Sequence, residues 1–135
     1  MAHEPETERV RWGVLSTANI GRKVVVPSIV ASSNGVLTAV ASREAARAEA
    51  FAAEFGGVRA HGSYEELLAD AEVDALYVPL PNAMHEAWTV RALEAGKHVL
   101  CEKPLGLDVA EVTRMTAAAA AADRLLVEAW WYRWH

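Results

Sequence analysis

Short apolar strands alternate with amphipathic helical stretches along the whole of this chain, and that alternation restricts the fold more than any other feature. Val10–Leu15, Val36–Ala41, Ala75–Val78, His98–Cys101 and Leu125–Ala129 read as strands. Between them lie the largely apolar Ile20–Val30, a helix with Ala48, Phe51, Ala52 and Phe55 on one face that is stopped by Gly56-Gly57, and a short helix carrying Tyr64, Leu67, Leu68 and Ala71. Met84–Ala95, ended by Gly96, and an alanine-rich helix to about Ala122 complete the series. Strands this largely apolar are expected to be covered on both faces, and parallel neighbours need a helical crossover between them. The expected fold is therefore α/β: a doubly wound parallel sheet, three layers deep, with helices on either side. Local signals agree. Ser63 with Glu66 and Asp108 with Glu111 have the spacing of capping boxes, and Pro27 should bend or break the helix it sits in.

With 135 residues and a hydrophobic fraction of 53%, the chain can build one packed core and not two. The expected layout is a polar leader over residues 1–9 and a single domain over 10–135. A net charge of −5 gives no basic field for nucleic acid or an anionic membrane, and no apolar stretch approaches a membrane span. The single cysteine, Cys101, has no partner for an internal disulfide, and the polar opening is unlike a secretion signal, so a cytoplasmic location is expected. His3, His61, His98 and His135 lack the spacing of metal ligands, and no metal site is expected. A small-molecule ligand is the natural partner class.

In open parallel sheets ligands lie beyond the carboxyl ends of the strands, which selects four segments. Ser16-Thr17-Ala18-Asn19-Ile20-Gly21 stands where a G-x-G-x-x-G fingerprint would stand and keeps only its last glycine. Small residues there let a pyrophosphate approach the backbone at a helix N-terminus; the competing reading is an ordinary strand-to-helix turn capped by Ser16 or Asn19. Ser42-Arg43 falls about 20 residues further on, where NAD-binding domains usually place an acid. A hydroxyl beside Arg43 and Arg47 suits a 2′-phosphate instead, favouring NADP over NAD, although Glu44 is close and both arginines would equally serve as a solvated helix face. Leu80, Asn82 and His85 follow the third apolar strand, within reach of a nicotinamide ribose; taken alone, Asn82 reads as a helix cap and His85 as a surface residue. Glu102-Lys103-Pro104 puts a carboxylate and an amine together at a strand end. A partly desolvated lysine beside a nicotinamide ring can exchange a proton with a substrate hydroxyl or carbonyl, whereas a plain surface turn would show the same tripeptide.

Taken together, Trp12 to Gly21, Val40-Ala41-Ser42-Arg43, Pro79-Leu80-Pro81-Asn82 with His85, and Ala95 to Pro104 resemble the Gfo/Idh/MocA oxidoreductase family over about residues 9–135, most closely its glucose-fructose oxidoreductase and dihydrodiol dehydrogenase branch. The resemblance implies a Rossmann domain for NADP or NAD, followed in relatives by an α/β substrate domain that often forms homo-oligomers. It further implies hydride transfer at the carbinol carbon of a sugar, polyol or diol. Ser16, Thr17, Ala18, Asn19 and Ile20 would line the pyrophosphate, Ser42, Arg43 and Arg47 the 2′-phosphate, and Leu80, Asn82 and His85 the nicotinamide side. Glu102 and Lys103 match the family's E-K-P motif, with Lys103 as proton donor or positioning group. The substrate domain is expected to lie outside this chain. Two alternatives stand beside the enzyme: a dinucleotide-binding module without turnover, and an inactive truncated product. In either case Trp130, Trp131 and Trp134 would leave apolar surface exposed near the last strand.

Overall fold

A computed structural model describes residues 8–130. Its strands are β1 (Val10–Leu15), β2 (Gly35–Ala41), β3 (Arg59–His61), β4 (Ala75–Val78), β5 (His98–Glu102) and β6 (Leu126–Ala129), and its helices are α1 (Val26–Ala31), α2 (Ala45–Glu54), α3 (Tyr64–Leu68), α4 (His85–Glu94) and α5 (Val109–Ala122). The strands form one sheet in the order β3-β2-β1-β4-β5-β6, and every pairing is parallel. This is the Rossmann order, with the direction of winding reversing between β1 and β4.

The apolar runs divide cleanly between the two faces because side chains alternate along a strand. Val14, Val40 and Tyr77 point to one side, where they meet Val26 of α1 and Phe51 and Ala52 of α2. Their neighbours Leu15, Ala39, Ala41, Leu76 and Val78 join Leu67, Leu93 and Met115 from α3, α4 and α5 on the other. At the centre of β1, Gly13 leaves room that no other residue would: a Cβ there would lie 2.8 Å from Leu76 and 3.0 Å from both Leu67 and Val73.

Both expected caps form. The Ser63 hydroxyl accepts the Glu66 N–H at 3.2 Å and the Asp108 carboxylate accepts the Glu111 N–H at 2.8 Å; the glutamates reach back to the N–H groups of Gly62 and Leu107. The bend expected around Pro27 is a π turn over Gly21–Val25, in which the Val26 N–H bonds to the Gly21 carbonyl; Pro27 then sits in the first turn of α1, where its missing N–H costs nothing. Near the last strand, Leu125 is 68% exposed and Trp130 40%, while Trp131 and Trp134, like residues 1–7, lie outside the described residues. No helix among the described residues is long and apolar enough to cross a membrane.

One strand escaped the sequence reading. β3 is Arg-Ala-His at the sheet edge, too short and too polar to show a period, and tertiary contacts hold it. The Asp70 carboxylate accepts from Arg59 at 2.6 Å, from His61 at 2.9 Å and from the Glu72 N–H at 3.0 Å. Burial pushes the Asp70 carboxyl upward, but these hydrogen bonds and the guanidinium charge outweigh it and hold the group down at about 2. A carboxyl depressed on folding stabilises the native state above its unfolded value, and that stabilisation is lost as pH falls through the folded value. The expected contribution at neutral pH is about 2 kcal/mol. Urea titrations of the native protein and Asp70→Asn should therefore show a stability gap at pH 7 that closes between about pH 5 and pH 2; a gap indifferent to pH would show that the charge of Asp70 is not what holds β3.

Candidate active site

Four strand ends stand side by side at the carboxyl edge of the sheet, in the order β2, β1, β4, β5. The turns that follow β1, β4 and β5 surround an open cleft of about 380 Å³ lined by Ile20, Pro79, Leu80, Asn82, Glu102 and Lys103. Its place is the point where the sheet reverses its winding, the crevice in which doubly wound sheets hold ligands.

The turn after β1 keeps a glycine's backbone without the glycine. Ser16 has φ of 126°, a region that disfavours side chains, so the first fingerprint position holds its geometry although its residue has changed. Contacts offset the strain: the Ser16 hydroxyl donates to the Pro79 carbonyl and accepts the Ala18 N–H, both at 3.2 Å, tying the β1 turn to the β4 turn. Ser16 thus acts as a local cap, but Asn19 does not, since no side chain caps the helical turn that follows. Gly21 is the position where a Cβ would meet the Tyr77 ring at 3.2 Å, which keeps the helical turn close to β4. Thr17 and Ala18 are half-buried, and Asn19 and Ile20 are exposed toward the opening. A small, closely approached turn leading into helical N–H groups fits a dinucleotide pyrophosphate.

Beyond β2, Ser42 is buried and its hydroxyl accepts the Glu44 N–H at 3.3 Å. Arg43 is exposed and forms no ion pair among the described residues, while Arg47 pairs with Glu44 at 3.0 Å across one turn of α2. These three residues share the carboxyl edge with the cleft but do not line it.

The structure corrects three expectations for the remaining segments. His85 is not a surface residue: it is fully buried, with Nδ1 2.7 Å from the Pro104 carbonyl and Nε2 2.8 Å from the Leu80 carbonyl. Each ring nitrogen faces the carbonyl of one of the two turns the ring lies between, and in that place the ring shapes the cleft from behind. Asn82 opens a short 3₁₀ turn, Asn82–Met84, and caps no helix; its side chain is exposed in the cleft instead. Lys103 is exposed at the rim, so the domain by itself does not supply the desolvation expected around that amine. Cys101 agrees with its expected role as a core residue; it is fully buried, and burial pushes its thiol up to about 12.

Glu102, by contrast, is held on every side. Its Oε1 accepts from the Tyr77 hydroxyl at 2.6 Å and its Oε2 from the Lys103 N–H at 3.2 Å, and only 8% of the residue is exposed. Burial first, and then the Glu102 carboxylate, raise the Tyr77 phenol well above its ordinary range, so Tyr77 stays a donor. Tyr77 was missed in the sequence because it sits in a wholly apolar run. A hydroxyl inside a strand buried on both faces needs a partner, and that was the available signal.

The comparisons with known proteins meet this geometry. The family model described as oxidoreductase family, NAD-binding Rossmann fold, matches residues 10–129. The chain belongs to the Gfo/Idh/MocA oxidoreductases. Members of the family resemble it over nearly its whole length. D-xylose 1-dehydrogenase (NADP(+)) 2 of Haloferax volcanii is 47% identical over 92% of the chain, and trans-1,2-dihydrobenzene-1,2-diol dehydrogenase of mouse is 42% identical over 92%. Among solved structures, KijD10, a 3-ketoreductase from Actinomadura kijaniata in complex with NADP and TDP-benzene, superposes with a TM-score of 0.92 at 40% identity, covering 95% of this chain and 39% of that one. The chain spans 38% of the length of the two dehydrogenases. Fold, family and the capacity of this Gfo/Idh/MocA domain for a nicotinamide dinucleotide are thereby established.

Proposed function

We propose that this chain is the cofactor-binding part of an NADP(H)-dependent oxidoreductase that moves a hydride to or from the carbinol carbon of a sugar, polyol or diol. The observation that carries the reading is the convergence of Glu102 and Lys103 with Leu80 and Asn82 on one cleft at the reversal point of the sheet. Relatives named as dehydrogenases of xylose and of a cyclic diol, and a solved neighbour named as a 3-ketoreductase, share one chemical event, interconversion of a carbinol and a carbonyl. When bound, the nicotinamide supplies the hydride chemistry.

The chain's own residues supply the rest. The turn from Ser16 to Ile20 offers backbone N–H groups to the pyrophosphate. Ser42 and Arg43, with Arg47 adding charge, receive the 2′-phosphate. Asn82, exposed on the cleft wall, offers a carboxamide to the nicotinamide side, and Leu80 an apolar wall. Glu102, fixed by Tyr77, is an acceptor for ribose hydroxyls. Lys103 holds its amine at the rim, where it gives a proton to the substrate oxygen as a carbonyl is reduced and takes one back in the reverse direction. Its dehydration comes from the ligands and from protein outside this chain, which also selects the substrate.

The test is a titration of the 135-residue chain with NADPH and NADH, following cofactor fluorescence, and then an assay of NADPH formation from D-xylose and cyclic vicinal diols. Binding that favours NADPH is expected. Equal or absent binding of both would sink the assignment of the β2 turn, and turnover of either class of carbinol would show that the chain's own residues suffice for the chemistry.

A further inference from the structure

The turn that carries Lys103 is fastened at three points, and one of them lies outside every motif that marks the site. Glu102 takes the N–H of Lys103, and His85 bonds the Pro104 carbonyl. The third point is Glu128, whose Oε2 accepts the Leu105 N–H at 2.8 Å across 23 positions of sequence. Glu128 belongs to β6, in register with Cys101, while Ala129 stands opposite Glu102. The residues around it on that strand are Leu126, Val127 and Ala129. A half-buried carboxylate in such a strand weakens packing unless it has a donor, and the donor it has is the amide two residues beyond Lys103.

A carboxylate accepting a backbone N–H makes a stronger bond than a neutral acceptor and fixes the direction of the peptide it holds. Glu128 does not line the cleft, so its effect on chemistry passes through the turn. We infer that Glu128 is a positioning residue for the reaction: by anchoring the Leu105 amide to β6 it sets where the Lys103 amine stands relative to the cleft. This rests on Lys103 being the catalytic group. His85 holds the same turn from α4, so the lysine is placed between a helix and the neighbouring strand.

The experiment compares Glu128→Ala, Glu128→Gln and Lys103→Ala in the NADPH-dependent reaction, together with amide hydrogen exchange at Leu105 in the 135-residue chain. Because a displacement of about 1 Å can cost about 100-fold in rate, Glu128→Ala should lower kcat by roughly 10- to 100-fold. Its KM and dissociation constant for NADPH should stay near native, and Leu105 should lose exchange protection. Glu128→Gln retains an oxygen that accepts the amide, and should restore most of kcat and the protection. Unchanged Leu105 exchange in Glu128→Ala overturns the inference whether or not turnover is measurable. So does native kcat in Glu128→Ala beside a Lys103→Ala that is inactive, or a Glu128→Gln as impaired as Glu128→Ala. Undiminished turnover in Lys103→Ala overturns instead the catalytic reading beneath it.

Discussion

Lys103→Ala is expected to reduce carbinol–carbonyl turnover by about 10²- to 10⁴-fold, the usual contribution of a positioned acid–base group, and to leave most NADPH affinity in place. The asymmetry follows from where the residue stands. Lys103 is exposed at the rim, and the side chains that shape the cleft, Glu102 with Tyr77 beneath it and His85 behind it, do not bond to its amine. Removing the amine therefore leaves the cleft standing. Lys103→Arg separates two roles that alanine confounds. A guanidinium keeps the positive charge but does not give up a proton in the neutral range, so proton transfer predicts an inactive Arg variant and electrostatic positioning a partly active one. Steady-state kcat and KM with a saturating diol, alongside an NADPH titration of each variant, read both.

Much of this was legible in the sequence, for identifiable reasons. β4 could be read to the residue because a strand covered on both faces is an unbroken apolar run, here ending at Pro79, and β1 because its buried half, Gly13 to Leu15, ends at Ser16. The capping pairs at Ser63 and Asp108 were visible because a cap is a local bond with a fixed spacing. β3 was not visible, since Arg59 and His61 take their strand conformation from β2 and from Asp70, neither of which is near in sequence. At the site, motif position located Glu102 and Lys103, but burial could not be read from it. His85 looked like a surface residue of a first helical turn and is fully enclosed; Lys103 looked partly desolvated and is exposed. The residues missed altogether, Tyr77 and Glu128, act through long-range hydrogen bonds, of which the sequence shows only a polar group inside an apolar strand.

Cofactor choice should turn on Arg43. Ser42 is anchored by its bond to the Glu44 N–H, and Arg47 is already paired with Glu44, whereas Arg43 is exposed with no ion pair among the described residues. A free guanidinium at the end of β2 is the group that can turn its donors to a 2′-phosphate without breaking a bond first. Losing one charge-assisted bond of this kind costs about 1.5–3 kcal/mol, so Arg43→Ala should weaken NADPH binding by roughly 10- to 100-fold. NADH, which lacks the phosphate, should bind as before. Arg47→Ala should have a smaller effect, because its guanidinium already faces the Glu44 carboxylate at 3.0 Å, which offsets part of its charge. Arg43→Glu goes further by placing a carboxylate where a ribose 2′-hydroxyl can donate to it, and it should reverse the preference toward NADH. The contribution of Arg43 should also shrink as salt rises, since the site is open to solvent. Paired titrations at low and high ionic strength measure all of this. An equal loss of NADPH and NADH in Arg43→Ala would place Arg43 in general support of the β2 turn, and the selectivity of the domain would then have to come from Ser42 and Arg47.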